Sequence, residues 1–408
     1  MESIKKAVLG SKKYLIYLIC LSAILFVFQL GSIPFYVCSI WMMIILAFDA
    51  KNMVKEYFKE HFWFSLFVTA MLLSCVVNRE VTTTESLFRS FTLFYVYYTM
   101  FVGLRDTEEH KEVTLNVIKV VTIVFFVYSL INLVDFTFGF NWFAQDLEYS
   151  RLSGIYGNPN NFGMCVTLGL LGGFLFKNRA FQIGNALLQV GMLYISDCRS
   201  MLISLLIICG LGILSVLYKK LPRKLFYGVT AIGIVAAIGV VYVILIKRFI
   251  GTGALETAGM SGFQAILNKI SAGRIRMWTQ AFELWGKHPI FGVGPANQAL
   301  MMIKEYGVDI NNGQIFYSNH QFLIDILLSG GIVALIPFLI WFYSVARKAA
   351  GNLGIFKVRE NVIVLCIAFV SFMCGMFDVA VVFDLRIYTL LFWLCFGYLN
   401  KIANIDKQ

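Results

Sequence analysis

The sequence predicts an all-α polytopic membrane protein with about twelve transmembrane helices. Composition is the first reason: the 408 residues are 59% hydrophobic and 14% charged, whereas soluble domains average about 45–50% apolar and about 25% charged residues. The second reason is a series of long apolar runs separated by polar turns. The third is that Lys and Arg cluster at alternate ends of those runs.

The apolar runs approach the roughly 17–25 residues that a helix needs to cross a bilayer. In chain order they are Tyr14–Leu30, Ile33–Phe48, His61–Val77, Leu87–Gly103, Leu115–Phe136, Asn161–Phe176, Phe181–Ile195, Met201–Tyr218, Leu225–Ile246, His320–Val345, Val362–Phe377 and Ile387–Leu399. The first run lacks a small-residue cleavage site and is soon followed by another, so we interpret it as a retained helix. We expect one integral membrane domain over residues 1–408.

The basic residues predict the orientation of the helices. Lys12 and Lys13 precede the first run, and Lys51 and Lys55 lie between the second and third, which places both regions in the cytoplasm by the positive-inside rule. The alternation continues to Lys401, so both termini are expected in the cytoplasm. The net charge of +11 is therefore a topology signal, and no nucleic-acid partner is expected.

The longest polar segment, residues 248–319, then lies outside, between the ninth and tenth runs. Four apolar residues recur in it at three- and four-residue intervals: Ile275, Trp278, Phe282 and Trp285. This spacing predicts an amphipathic helix along the outer membrane surface, with Arg274 and Arg276 near its start. Pro289 should end that helix, because proline cannot continue the hydrogen-bond ladder, and residues 292–295 predict a tight turn.

The histidines divide by this topology. His61 and His110 lie near cytoplasmic helix ends and are expected to be solvated or interfacial. His288 precedes a proline at a helix end, where C-capping explains it as well as function does. His320 begins a run at the outer interface, where an imidazole can accept a hydroxyl proton. An ordinary interface histidine is the alternative.

Three arginines lie at predicted outer positions where a charge is expensive. Arg89 is a few residues inside the fourth run, Arg151 opens the segment RLSGIYGNPNNFG, and Arg199 precedes the eighth run. Snorkelling to the interface explains Arg89 and Arg199 as well as function does. The functional interpretation is that planar guanidinium groups bind phosphate oxygens bidentately. Residues 157–161, Gly-Asn-Pro-Asn-Asn, predict a turn and a cap for the next helix.

No metal or cofactor site is expected, since the sequence has no DxD or HExxH motif and no convincing pair of external carboxylates. Asp378, Asp384 and Arg386 share the last outer loop, where they can pair with one another, and they receive no catalytic role. The cysteines lie in apolar runs without CxxC spacing, which indicates small core hydrophobes. Those in apolar runs include Cys20, Cys38, Cys75, Cys209, Cys366, Cys374 and Cys395.

Four motifs occur in a characteristic order. They are RLSGIYGNPNNFG from Arg151, SDCRSM around Arg199, GRIRMW followed by KHPIFGVGP from Gly273, and NHQFL around His320 with Ser329-Gly330-Gly331 behind it. Over residues 151–341 this order resembles the O-antigen ligase and O-antigen polymerase superfamily of bacterial envelope glycosyltransferases.

The resemblance implies a GT-C-like membrane fold that transfers a glycan from undecaprenyl pyrophosphate to an acceptor hydroxyl outside the bacterial cytoplasmic membrane, without a metal or cofactor. It gives His320 the role of general base or acceptor-orienting group, and Arg199 and Arg274 the binding of the pyrophosphate. Arg276 and Arg151 are further pyrophosphate candidates, and the auxiliary residues are Arg89, Asn319 and Gln321. Many relatives have asparagine after the histidine; Gln321 keeps the amide on a longer arm.

Polymerisation of capsule, exopolysaccharide or O-antigen units is the favoured interpretation. Ligation to a lipid A core, a cell-wall polymer or a protein is the alternative within the same chemistry. A glycolipid flippase or other transporter is the alternative from another class. The expected partners are a lipid-linked oligosaccharide, a glycan acceptor, membrane lipids and other polysaccharide export or assembly proteins.

Overall fold

The computed structural model describes residues 11–25, 61–84, 106–140, 152–220, 271–306 except 272, 320–351, 353–377 and 386–405, with scattered positions between them. These residues form helices and contain no β-strand. The α-helices are α1 (Lys12–Leu25), α2 (Phe62–Val77), α3 (Thr107–Phe138), α4 (Pro159–Gly173), α5 (Arg179–Ser196), α6 (Arg199–Lys220), α7 (Arg274–Lys287), α8 (Gln298–Tyr306), α9 (Phe322–Gly351), α10 (Arg359–Phe377) and α11 (Ile387–Ile405).

Several of these helices are apolar enough to cross a membrane. Within the described residues, α3, α9 and α10 are both long and apolar enough, and the shorter apolar helices are Phe62–Val77, Arg199–Ile213 and Ile387–Ala403. The predicted all-helical, membrane-type fold is therefore confirmed. The predicted runs Ile33–Phe48, Leu87–Gly103 and Leu225–Ile246 lie largely outside the described residues.

Asparagine and aspartate side chains cap several helix starts. Asn158 accepts hydrogen bonds from the backbone N–H groups of Asn160 and Asn161, and Pro159 occupies the first turn of α4. The predicted turn and cap at residues 157–161 are thus confirmed. Asp106 caps α3 in the same way, because side-chain oxygens satisfy N–H groups that have no partner within the helix.

An aromatic cluster joins α2, α9 and α11 in the centre of the bundle. The rings of Phe64 and Trp341 lie 4.8 Å apart, and Trp393 lies within 5.6 Å of both. All three side chains are buried. Such rings bury large areas and favour edge-to-face or offset contacts, so the cluster fixes how the three helices meet.

Helix α9 is broken at Gly331, whose φ of 64° and ψ of −164° lie outside the helical region. The ring centroids of Phe322 and Phe338 are 5.9 Å apart, although an uninterrupted helix would separate the two residues by roughly 24 Å. Residues 322–330 therefore form a half-helix that folds back beside residues 332–351. The sequence predicted one continuous crossing over His320–Val345, and this continuity is wrong.

His110 corrects another expectation. Its side chain is fully buried, with Nε2 3.2 Å from the carbonyl oxygen of Leu394 and the ring 6.0 Å from that of Tyr398. Of the two predicted positions, solvated or interfacial, the solvated one is wrong, because α3 begins at Thr107, well before the predicted start at Leu115. The earlier start brings His110 into the contact between α3 and α11.

The described cysteines mostly behave as core hydrophobes. Cys75, Cys374 and Cys395 are buried, as expected, and so is Cys20. Cys366 is half-buried, Cys209 is exposed, and Cys38 lies outside the described residues.

Gly331→Ala should lower the stability of the fold. The backbone conformation at this position is essentially limited to glycine, and an added Cβ would collide with the carbonyl group of Ile290. We expect a loss of about 2–5 kcal/mol, seen as a lower melting temperature in detergent. Gly286→Ala is the control, since a Cβ there meets no atom within 4 Å. Equal melting of both variants would contradict the break.

Candidate functional site

The loop that follows α7 fills the break in α9. Four backbone hydrogen bonds join them: Val293 N–H to Leu328 O (2.7 Å), Gly294 N–H to Ser329 O (3.0 Å), Ile332 N–H to Pro289 O (3.0 Å) and Val333 N–H to Ile290 O (3.4 Å). A broken helix leaves carbonyl groups on one side and N–H groups on the other without partners, which is costly away from water. Residues 289–294 satisfy both sides of the break.

The segment predicted as a tight turn, residues 292–295, bends at Val293 and is flanked by two hydrogen-bonded turns, Gly292 N–H to His288 O (3.0 Å) and Asn297 N–H to Gly294 O (3.3 Å). Gly292 and Gly294 both have positive φ, of 63° and 92°. A Cβ at Gly292 would collide with the carbonyl group of Leu328, so the turn needs glycine for its close approach to the half-helix as well as for its φ.

Helix α7 packs along the half-helix 322–330. Their contact belongs to one apolar cluster, formed by Ala281, Leu284, Val293, Met302, Ile324 and Leu328, with Trp278, Trp285, Met301 and Tyr306 packed against it. The predicted amphipathic helix is confirmed, and it ends at Lys287 with His288 at its C-cap. Phe282, which the sequence pattern places on the apolar face, is 49% exposed.

The two packed helices run in the same direction. α7 leads directly into the loop at the break, and the half-helix ends at the break. Because the two helices lie side by side and both end at the break, their N-terminal ends both lie on the side away from the break. Arg274 is the first residue of α7. His320 precedes Gln321, the residue that caps the start of the half-helix. The structure therefore brings Arg274 and His320 to the same side.

Polar contacts hold α7 and α8 together. The Tyr306 hydroxyl lies 3.2 Å from the Gln280 carbonyl oxygen and 3.0 Å from Glu283 Oε2, and both can accept its proton. Lys287 and Glu305 form an ion pair between the two helices. Partial burial, reinforced by the bond to Glu283, raises the pKa of Tyr306 to about 12. The residue thus stays a neutral donor over the physiological range.

His320 is held in an unusual backbone conformation. Its φ is 49°, in the left-handed region that histidine enters more readily than most residues, and its side chain is half-buried. Gln321 caps the half-helix, since its Oε1 accepts from the N–H of Ile324 at 2.6 Å. Its Nε2 lies 3.7 Å from Met376 Sδ. The amide of Gln321 therefore has a structural use beside His320.

Arg199 lies at a sharp corner between α5 and α6. Asp197 ends α5 with a φ of 51°, and its Oδ2 lies 3.7 Å from Arg199 Nη2. The Arg199 side chain is 39% exposed. Cys198 Sγ lies 3.7 Å from the carbonyl oxygen of Asn160, so the corner packs against the start of α4.

Contacts through α10 connect this corner with His320. Gln321 reaches Met376 near the end of α10, and Cys374 Sγ lies 3.7 Å from Met201 Sδ in the first turn of α6. The starts of α6 and of the half-helix therefore flank the same end of α10. We call this end of the bundle the His320 end, and Arg199 lies there.

Arg386 joins the same end from the start of α11. Its Nη1 donates to Asn161 Oδ1 at 2.8 Å and to Tyr388 Oη at 3.0 Å. Asn161 lies in the first turn of α4, beside the corner that carries Arg199. From the sequence alone, Arg386 was predicted to share the last outer loop with Asp378 and Asp384 and to pair with them; both aspartates lie outside the described residues.

Asp325 is a second residue that the motifs did not single out. It is only 4% exposed, in the first turn of the half-helix, one turn after Gln321. A carboxylate near a helix N-terminus is stabilised by the helix dipole. In the sequence, Asp325 is a lone acidic residue inside an apolar run. Ionisable residues within membrane segments are rare and usually functional, so this feature could have identified it.

Of the remaining predicted site residues, the structure describes Arg276 alone. Arg276 lies two residues after Arg274 on α7 and is half-buried. Arg89, Arg151 and Asn319 lie outside the described residues. In the described part of the chain, no group of three His, Cys, Asp or Glu side chains is placed to hold a metal ion.

Three candidate residues thus lie on one side of the fold: Arg199 and His320 are at the His320 end, and Arg274 is on the same side of the break as His320. Arg199 comes from the α5–α6 corner, Arg274 from α7, and His320 from the half-helix. Guanidinium groups recognise phosphate oxygens, and an imidazole exchanges a proton near neutral pH. The arrangement suits a phosphorylated substrate whose reacting atom lies beside a base.

Comparison with known proteins identifies the segment that carries these groups. Residues 184–339 match the family model described as O-antigen ligase, and no curated protein matches the chain. The matched segment includes Arg199, Arg274, His320 and the break at Gly331. Together with the apolar helices it identifies an integral membrane protein, and it supports glycosyl transfer of the ligase or polymerase type. The match over residues 184–339 supports the resemblance of this chain to the O-antigen ligase and polymerase superfamily.

Proposed function

We propose that the protein is a membrane glycosyltransferase that moves a glycan from undecaprenyl pyrophosphate to an acceptor hydroxyl outside the bacterial cytoplasmic membrane. The observation that carries the proposal is the shared direction of α7 and the half-helix, which puts Arg274 and His320 on the same side. The family match over residues 184–339 supports the reaction class. Metal independence is part of the proposal and follows from the resemblance.

His320 is the proposed general base or acceptor-orienting group. The acceptor oxygen forms a bond to the anomeric carbon of the donor sugar, the bond from that carbon to the pyrophosphate oxygen breaks, and the acceptor proton passes to the imidazole. The leaving undecaprenyl pyrophosphate keeps the bonding electrons. A positioned base contributes about 10²- to 10⁴-fold to such a step.

Arg199 and Arg274 are the proposed pyrophosphate ligands, with Arg276 and Arg151 as further contacts. Negative charge grows on the pyrophosphate as it leaves, and fixed guanidinium groups stabilise that charge without rearranging. A hydrogen bond to a charged group contributes about 1.5–3 kcal/mol. Arg89, Asn319 and Gln321 are proposed as auxiliary residues, Gln321 through its cap on the half-helix.

Polymerisation of capsule, exopolysaccharide or O-antigen units is the proposed use of this chemistry. Ligation to a lipid A core, a cell-wall polymer or a protein would use the same residues with another acceptor. We further propose about twelve spans in a GT-C-like fold, cytoplasmic termini, residues 248–319 as an external segment, and contact with other polysaccharide export or assembly proteins.

His320→Ala should abolish transfer while the protein still inserts into membranes. The assay uses proteoliposomes with a lipid-pyrophosphate oligosaccharide and follows glycan length and released undecaprenyl pyrophosphate. We expect a fall of about 10²- to 10⁴-fold in rate. His288→Ala is the matched control, since the helix-end bonds of His288, its N–H to the Trp285 carbonyl and its carbonyl from the Gly292 N–H, are made by the backbone and survive the substitution. Normal chain growth by His320→Ala would rule out the proposed base, and glycolipid crossing without bond formation would favour a carrier.

Arg199→Ala should weaken binding of the lipid-linked donor. Loss of a charged contact of about 1.5–3 kcal/mol corresponds to roughly a 10- to 150-fold rise in donor KM. Arg199→Lys should recover part of it, because lysine keeps the charge but lacks the planar fork. Arg179→Ala is the control: Arg179 also opens a helix, but at the opposite end of α5. Equal KM values for Arg199→Ala and Arg179→Ala would contradict the assignment.

A further inference from the structure

One hydroxyl group from α2 lies between the loop and the broken helix. Ser74 Oγ is 2.6 Å from the carbonyl oxygen of Phe291 and 2.6 Å from that of Ser329. The Ser74 side chain is completely buried. A serine hydroxyl has a single proton, so the two carbonyl groups share it. This hydroxyl thus bridges the docked loop and the last turn of the half-helix.

Asn78 supports the same bridge one turn later. Its Nδ2 donates to the carbonyl oxygen of Gly292 at 3.1 Å and to that of Ser74 at 2.9 Å, and lies 3.4 Å from Ser74 Oγ. The amide thus holds the loop at Gly292 and also lies close to the Ser74 hydroxyl. α2 therefore contacts the loop at two successive points.

The bridge belongs to one continuous face of α2. Phe67 packs against Phe338 with ring centroids 5.2 Å apart, and Met71 lies against Gly330. Residues 67, 71, 74 and 78 follow the four- and three-residue spacing of one helix face. α2 is rigidly set by its packing with α9, so this face forms a template on which both sides of the break are aligned.

We propose that Ser74 is a positioning residue for the reaction, acting through the half-helix that follows His320. This inference rests on the proposed function. Ser74 lies outside residues 184–339, so the family segment receives part of its active-site alignment from an earlier helix. With the hydroxyl removed, the part-buried Phe291 carbonyl loses a donor, the loop and the half-helix shift, and His320 moves relative to the donor sugar.

The experiment compares Ser74→Ala with Ser65→Ala in full-length protein in proteoliposomes. Ser65 is a suitable control because it is also a buried serine on α2, and it lies near the start of that helix, where its Oγ is 3.3 Å from the His61 carbonyl oxygen. A misplacement near 1 Å can cost about 100-fold in rate, so we expect Ser74→Ala to lower kcat by roughly 10- to 100-fold. The donor KM should change much less than kcat, since Ser74 does not touch the proposed phosphate ligands. Asn78→Ala should show the same pattern more weakly and serves if Ser74→Ala folds poorly.

Hydrogen exchange provides a readout that does not depend on activity. The N–H groups of Val293, Gly294 and Ile332 should exchange faster in Ser74→Ala than in Ser65→Ala. Faster exchange with unchanged kcat, or unchanged exchange and kcat, would overturn the positioning role. A wild-type protein that inserts but transfers no glycan would contradict the proposed function and the catalytic part of this inference, while exchange would still decide whether Ser74 holds the break.

Discussion

The rest of the structure depends on the backbone pairing between the break in α9 and the loop at residues 289–294. The reversal at Gly331 exposes carbonyl and N–H groups on its two sides, and the loop bonds to both. Unsatisfied backbone groups are expensive away from water. The pairing therefore removes the cost of the break and, at the same time, fixes the segment that carries Arg274 onto the segment that follows His320.

This arrangement spreads the candidate site over distant parts of the chain. Arg199 comes from a corner that packs on the start of α4, and Arg386 ties that start to α11. Met376 in α10 lies beside Gln321, next to His320. In a membrane bundle, groups from different helices meet at the end of the bundle where those helices begin or finish. The matched family segment is therefore incomplete without the helices on either side of it.

The sequence predicted the positions of the helices but not the break in α9. Hydropathy placed α2 and α10 within a few residues, because apolar runs bounded by polar residues have one simple solution in a bilayer. The Gly330-Gly331 pair was visible, but its partner lies about 40 residues earlier, and pairing at that distance leaves no periodic signal. His110 was predicted outside the helix for a different reason. The first turn of α3 contains charged residues, so hydropathy alone starts the helix too late. Asp325 and Arg386 belong to the site region only through tertiary contacts.

The reversal at Gly331 can be measured directly by electron spin resonance between paired nitroxide labels. Labels at Leu323 and Leu339 are sixteen residues apart across the break, and labels at Ile332 and Lys348 are sixteen residues apart within the unbroken part. An uninterrupted helix would place either pair roughly 24 Å apart. The structure predicts that distance for the second pair and a much shorter one for the first. Equal distances for the two pairs would contradict the half-helix and, with it, the shared position of Arg274 and His320.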